Sequence, residues 1–566
     1  MTTRKFGKAA WIATAVGAAA AFYVVDRSTA YVRGQLAAHV NVAEIGNGLF
    51  SALGKNLAHI SFDRPDLIGG GVGALIVLFI VLYAATGRNK KRPGEEHGSA
   101  RWGTARDIAP MTDRDPAKRF QFTQTESLSI DNFRTQRNNN VCVIGASGTG
   151  KSRYYIGPNL VNLGMSKAIT DPKGELYRDY ADRLRASGHA VRRFNLIDLA
   201  DSEKFNPMSY FDPAAPETSI VQLVETIMAN TTGEKPAGAG DFWERAERAL
   251  LTALMAYVWA TTPESADTEP SLVGVVDLHK EMSASEGRDS ETYKSDVDRR
   301  IEVARELVDE WHRDPSVAED QTVMKVLDFA CRQYRVFEQG AGETKKSIII
   351  SLGVRLSPLD MHDVREILAT DTIALDQVGY ERTALFLAIP DTHQTFKFIA
   401  TMFWQTYYSK NIYLADHEKS GRLPIPVHNF LDEFANIGKI PGFPQLMATI
   451  RSRGISTSVV VQNIPQGKAM WKDDWSSIVA NCDSTLYLGG DDPDTTKWLS
   501  GVLGSETIYS EDRSRTYGMN GSWSRSERSM KRELMTPDEI GQMDNRLALL
   551  LIRGLPPFRS RKAQAV

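Results

Sequence analysis

Cysteine is scarce. The chain has three, Cys142, Cys331 and Cys482, and no two are spaced as a C-x-x-C pair. That argues against a disulfide framework or a zinc site, and it suits a reducing compartment in which each thiol is a small buried hydrophobe. A charge of one sign is missing too. The formal net charge is −3, so nothing attracts nucleic acid in bulk, and any polyanion must be held by local basic clusters. No fixed-period repeat runs along the sequence. Apolar residues are not in short supply. At 42% hydrophobic and 24% charged the composition is that of a folded protein rather than a disordered one. A length of 566 residues predicts two or three packed units.

Two long apolar runs stand near the start. Ala9 to Val25 carries no charge and is at the short end of what spans a bilayer, and Leu67 to Ala85 is more apolar and of full spanning length. Arg4, Lys5 and Lys8 precede the first, and Arg88, Lys90, Lys91 and Arg92 follow the second. The positive-inside rule puts both flanks in the cytoplasm, with roughly forty residues looped outside. The first run has a competing reading as a cleaved signal peptide, with small residues at Ser28 to Ala30. A short loop followed at once by a second span suits a retained hairpin better. For the second run the alternative is a buried soluble helix, which the basic cluster behind it disfavours.

A short apolar run, Asn140 to Ile144, leads into Gly145, Ala146, Ser147, Gly148, Thr149, Gly150, Lys151 and Ser152, which satisfy G-x-x-x-x-G-K-[ST] in full. Glycines let the backbone turn its N–H groups onto phosphates, and the following helix-compatible segment adds a positive dipole end. Lys151 would reach the β/γ-phosphates of ATP and Ser152 would offer its hydroxyl to Mg²⁺. Further along, "VHNFL" ends in Asp432 and Glu433. Asp432 fits the Mg²⁺-holding acid at the end of a neighbouring strand, and Glu433 the base that orients or deprotonates water. On their own, two acids after apolar residues also read as the cap of a strand and the start of a helix.

Other β-prone runs end at turns: "KAIT" before Asp171, "TALFLAI" before Pro390, "STSVVVQ" to Gln462, "STLYLG" to Gly489 and "LALLLI" to Arg553. Helix-length segments between most of them predict an α/β fold with a mostly parallel sheet, whose ligands bind beyond the strands' carboxyl ends. Gln462 is therefore a candidate γ-phosphate sensor, or a buried glutamine satisfying backbone groups. Residues 212–340 have few β-prone runs, and "FWERAERALLTALMAYVWA" and "RRIEVARELVDEWHR" carry helical periodicity, which predicts an all-α insertion. The expected division is thus a hairpin over 1–92, a first nucleotide-binding part over 93–211, the all-α domain over 212–340 and a second part over 341–566. Arg451 and Arg453 read either as an arginine acting across a subunit boundary or as a solvated helix face or salt bridge. Glu511 to Arg532 interleaves arginines with Tyr517 and Trp523, which suits a nucleic-acid strand or, equally, a plain exposed hairpin or loop.

Together these pieces resemble the coupling ATPases of type IV secretion systems, the TraG/VirD family. The resemblance rests on ordered blocks: the two apolar runs, "HGSARWGT" (His97 to Thr104), the P-loop, "DPKGELY" (Asp171 to Tyr177), "FNPM" (Phe205 to Met208), "LDEFANIGKIPGF", "SRGI", "VVQN", "ANCDSTLYLGG" and "LMTPDEI" (Leu534 to Ile540). It implies a RecA-like motor with an all-helical domain, a membrane-anchored hexameric ring, and ATP hydrolysis coupled to pumping relaxase-bound single-stranded DNA, or proteins, toward a secretion channel. It carries Lys151 and Ser152 to the nucleotide, Asp432 and Glu433 to Mg²⁺ and water, and Gln462 to the γ-phosphate. Asp171 and Lys173 fall in a shared block, where they read as structural support for the site. Two other readings stand beside it. One is a double-stranded DNA pump, whose usual multi-span region and DNA-reading module are not seen. The other is a docking receptor that binds nucleotide without motor activity.

Overall fold

The computed structural model describes residues 8–54, 60–86, 95–231, 241–263, 268–283, 294–340, 342–393, 395–515 and 523–565. They form two compact units, 1–96 and 97–566.

In the first unit the alanine-rich helix Lys8–Ala37 runs for 30 residues, about 45 Å at 1.5 Å per residue. It lies antiparallel to the helix Arg64–Thr86, and small residues set the approach. A Cβ on Gly70 would stand 2.9 Å from the carbonyl oxygen of Phe22, so only glycine lets the backbones come this close. Beyond the apolar part, Arg33 joins Asp66 at 2.7 Å and also pairs with Asp63. The backbone N–H of Ser61 donates to Asp26 at 2.9 Å. Among the described residues, one helix is long and apolar enough to cross a membrane, over Arg64–Tyr83. The helix that holds the first expected span runs on past Val25 through Asp26, Arg27 and Arg33 to Ala37.

The second unit begins with a small antiparallel pair, β1 (Arg119–Gln121) and β2 (Ser127–Ser129). Its main sheet contains β3 (Val141–Ile144), β4 (Ser166–Pro172), β5 (Ala190–Asn195), β6 (Thr383–Ile389), β7 (Val427–Leu431), β8 (Ile455–Val461) and β9 (Ser484–Tyr487). A separate hairpin follows, β10 (Ser505–Arg515) with β11 (Trp523–Glu533), and then β12 (Leu547–Ile552) and β13 (Phe558–Arg561). The nine strands of the main sheet run β13-β12-β9-β3-β8-β7-β4-β6-β5. Pairings from β9 to β5 are parallel, and β12 and β13 add an antiparallel edge, so the sheet is mixed. β3, β6, β7 and β8 are buried at every position, as strands covered on both faces must be.

Between β5 and β6 the chain is helical: Pro216–Thr231, Asp241–Thr261, Leu272–Lys280, Asp296–Arg313, Gln321–Glu338, Gly342–Leu356 and His362–Leu368. The helices do not stop at the expected boundary near 340. "SIIISLGVRL" looks β-prone, yet Ile348, Leu352 and Leu356 are all buried, and their four-residue spacing presents one helix face to the core. A buried ion pair, Arg355 Nε to Glu247 Oε2 at 2.6 Å, joins this helix to Asp241–Thr261.

Candidate nucleotide site at the strand tips

β3 delivers the glycine-rich loop. Gly148 and Gly150 have φ of 78° and 84°, and a Cβ on Gly150 would fall 2.4 Å from the Tyr154 ring. The loop is therefore closed to larger residues there. The loop is tied by two hydrogen bonds: Ala146 N–H donates to Gly489 O, beyond the tip of β9, at 2.9 Å and Thr149 Oγ1 to Ala146 O at 2.8 Å. Lys151 is buried and donates to Gly145 O at 2.9 Å. The segment after it, Ser152–Ile156, is a π-turn that passes into the α-helix Gly157–Asn162.

The acids arrive from β7. That strand is not adjacent to β3, because β8 lies between them, which corrects the expectation of a neighbouring strand. The gap is still closed: Ser152 Oγ donates to Asp432 Oδ2 at 3.0 Å. Burial pushes the Asp432 carboxyl up to about 6, with the Ser152 hydrogen bond and Lys151 pulling the other way. Glu433 sits at φ 50°, in left-handed backbone, a conformation that costs a non-glycine residue and clusters at functional sites. Three contacts hold its carboxylate. Gln462 Nε2, from the tip of β8, reaches Oε1 at 3.3 Å and Oε2 at 3.4 Å, and Asn436 Nδ2 reaches Oε2 at 3.3 Å. Sequence reading left Gln462 as either a γ-phosphate sensor or a buried glutamine satisfying backbone groups. Here it holds the candidate base, and Asn436, which the sequence did not single out, shares that task from three residues downstream.

Asp171, at the tip of β4, spends both oxygens on the N–H groups of Leu176 (2.9 Å) and Tyr177 (2.8 Å). Burial pushes it up to about 6. Lys173, at φ 71°, pairs with Asp391 at 3.4 Å. These contacts brace the tip of β4, next to β7 and Asp432. The two arginines are not brought to the site. Both lie on the turn Ile450–Arg453 before β8, and the seven residues of β8 put about 23 Å between that turn and Gln462. Arg453 forks onto Asp416 at 2.7 and 2.8 Å, and Arg451 donates to Asn132 O at 3.1 Å. Tyr517 lies outside the described residues, and Trp523 opens β11 of a hairpin paired along its whole length.

The donor set fits magnesium. Asp432 and Ser152 offer hard oxygens, and no group of three or more His, Cys, Asp or Glu side chains poised to hold a metal occurs among the described residues. Mg²⁺ takes few protein oxygens and completes its shell with phosphate and water.

A mixed sheet with a buried parallel core, a complete phosphate-loop motif and an acid two strands away define a RecA-like P-loop α/β fold. The chain belongs to the type IV secretory system conjugative DNA transfer family, whose model matches residues 110–564, in line with the resemblance read from the sequence. It is 22% identical over 496 residues to the conjugal transfer protein TraG of Escherichia coli, covering 79% of this chain and 71% of that one. It is 20% identical over 513 residues to protein VirD4 of Rhizobium rhizogenes, covering 87% and 69%. Among solved structures, the plasmid coupling protein TrwB in complex with ADP and Mg²⁺ superposes with a TM-score of 0.53 at 14% identity, over 84% of this chain and 97% of that one. At that identity the likeness is one of fold.

Proposed function

We propose that this protein is a membrane-anchored ATPase that recruits relaxase-bound single-stranded DNA, and protein substrates, and drives them into a type IV secretion channel. It works as a homo-oligomer, a hexamer, in the inner or plasma membrane with two spans and both termini cytoplasmic. The observation that carries the ATPase reading is the Ser152–Asp432 hydrogen bond of 3.0 Å with Glu433 held beside it. It supports a division of labour in which Ser152 and Asp432 hold Mg²⁺, which would supply charge neutralisation on the phosphates. Lys151 leaves Gly145 O for the β/γ-phosphates. Glu433, fixed by Gln462 and Asn436, orients water and takes its proton. If an arginine acts across a subunit boundary, Arg451 fits better, because Arg453 is committed to the Asp416 carboxylate. Family membership and the intact set of Lys151, Ser152, Asp432 and Glu433 favour this reading over a receptor without turnover.

The test is ATP hydrolysis by the full-length protein in detergent, with and without single-stranded DNA. Hydrolysis that rises with DNA is expected. Glu433→Gln should bind nucleotide yet lose turnover by roughly 100-fold or more, and Lys151→Ala should lose binding itself. A protein that binds ATP and never turns over, with or without DNA, would move the receptor reading ahead.

A further inference from the structure

A second lysine touches the phosphate loop, from outside. Lys562 lies just beyond β13, and its backbone is pinned by a hydrogen bond from its N–H to Arg546 O at 2.9 Å and by a bridge to Thr123. Its side chain is almost completely enclosed, with the residue 4% exposed. Nζ donates to Thr149 O at 2.8 Å and to Asn545 Oδ1 at 2.7 Å. The ammonium also stands 5.6 Å from the centroid of the Tyr154 ring, the ring that lies against Gly150. Both hydrogen-bond acceptors are uncharged, and the nearby Asp544 is forked by Arg546 at 2.6 Å. The positive charge of Lys562 is thus not cancelled by a contacting acid.

The contact has a geometric consequence. A trans peptide points its C=O and the next N–H in opposite directions within one plane. A donor holding Thr149 O on the outer side of the loop therefore turns Gly150 N–H inward, to the side where the motif collects phosphate oxygens. A cation on that carbonyl also polarises the peptide and strengthens the N–H as a donor. Gly150, with its φ of 84°, has the freedom to flip that plane, so something must hold it.

We propose that Lys562 is a positioning residue of the nucleotide site, clamping the Thr149–Gly150 peptide so that the loop is set for phosphate before nucleotide arrives. It raises nucleotide affinity and leaves the chemical step to others. The inference rests on the nucleotide reading of the previous subsection and adds to it a residue that no motif marks.

The test is titration of a fluorescent N-methylanthraniloyl-ADP against full-length protein in detergent, beside steady-state ATP hydrolysis. Lys562→Met should weaken binding by about 10-fold, the scale of one charge-assisted hydrogen bond. KM should rise in parallel, with kcat staying within about twofold, because the contact is made in ground and transition states alike. Lys562→Arg, which keeps charge and donors, should recover affinity to within about threefold of wild type. If Lys562→Met yields too little folded protein, Lys562→Gln serves instead, with the same loss expected. A neutral variant that binds at wild-type strength, while Lys151→Ala does not bind, overturns the proposal. So does an arginine variant no better than the neutral one. Undiminished binding by Lys151→Ala would overturn the nucleotide site itself and this inference with it.

Discussion

Lys167 shows how one side chain's surroundings set a property of the whole fold. It is fully buried on β4, and its amine reaches Leu163 O at 2.7 Å, Met165 O at 3.0 Å and His189 Nε2 at 2.9 Å. None of these partners is a carboxylate, so no opposite charge offsets the cost of burial. Burial, with Arg382 adding repulsion, pushes the amine down to about 7. An unfolded lysine titrates near 10.4. Between these values the unfolded chain holds a proton that the folded chain has released, so stability rises with pH from about 7 to about 10, by up to about 1.4 kcal/mol per unit. Lys562, pushed down to about 8 by burial, acts with the same sign. Thermal melting of wild type should therefore move upward between pH 7.5 and 9.5, on the window those two values set, and Lys167→Met should flatten that rise. The same scale shows what a sequence can and cannot disclose. Lys151, Ser152, Asp432 and Glu433 announce themselves because their neighbours in the chain are also their neighbours in the site. Lys562 meets Thr149 across 413 positions, and no local pattern could join them.

At the level of elements, a side chain of the helical segment reaches the loop that follows Glu433. Asn230, near the end of helix Pro216–Thr231, accepts from Lys439 N–H at 3.1 Å and donates to Lys439 O at 3.3 Å. Thr401 Oγ1 donates to Ile437 O at 2.5 Å, so both residues grip the loop that follows Glu433. Arg355, paired with Glu247 in the helical core, also donates to Thr231 at 3.3 Å. Asn230→Ala should slow DNA-stimulated turnover by about 10-fold through a misplaced Glu433, with nucleotide affinity unchanged. Unaltered turnover would remove this link. Elements differ in how plainly they can be read. β3, β6, β7 and β8 stand out as apolar runs because both faces are covered. β5 and β13 do not, because they are edge strands carrying Arg192, Arg193, Arg559 and Arg561, and charge on an edge blocks further pairing. The place of β8 between the loop strand and the acid strand is set by tertiary pairing, which no run of residues spells out.

Across the whole molecule, the topology of the first unit is open to direct test. Cys142, Cys331 and Cys482 are all buried, so an introduced thiol would be read against a quiet background. Asn47→Cys, on the exposed side of helix Val42–Gly54, should react with a membrane-impermeant maleimide from outside intact spheroplasts. Ser187→Cys, exposed in the second unit, should react only after lysis. Labelling of both from outside, or of neither, would refute the two-span arrangement. The order of pairing in the sheet also bears on how the chain is made. Val141 of the loop strand pairs with Ser458, and β5 pairs with β6 across the entire helical segment. At about 5–20 residues per second on the ribosome, the loop strand waits tens of seconds for its partner. By then the apolar helices at the start of the chain have long since emerged. On the function proposed above, an unfinished chain would have no assembled ATP site while it is being delivered to the bilayer, and it could not spend nucleotide before reaching the place where it works.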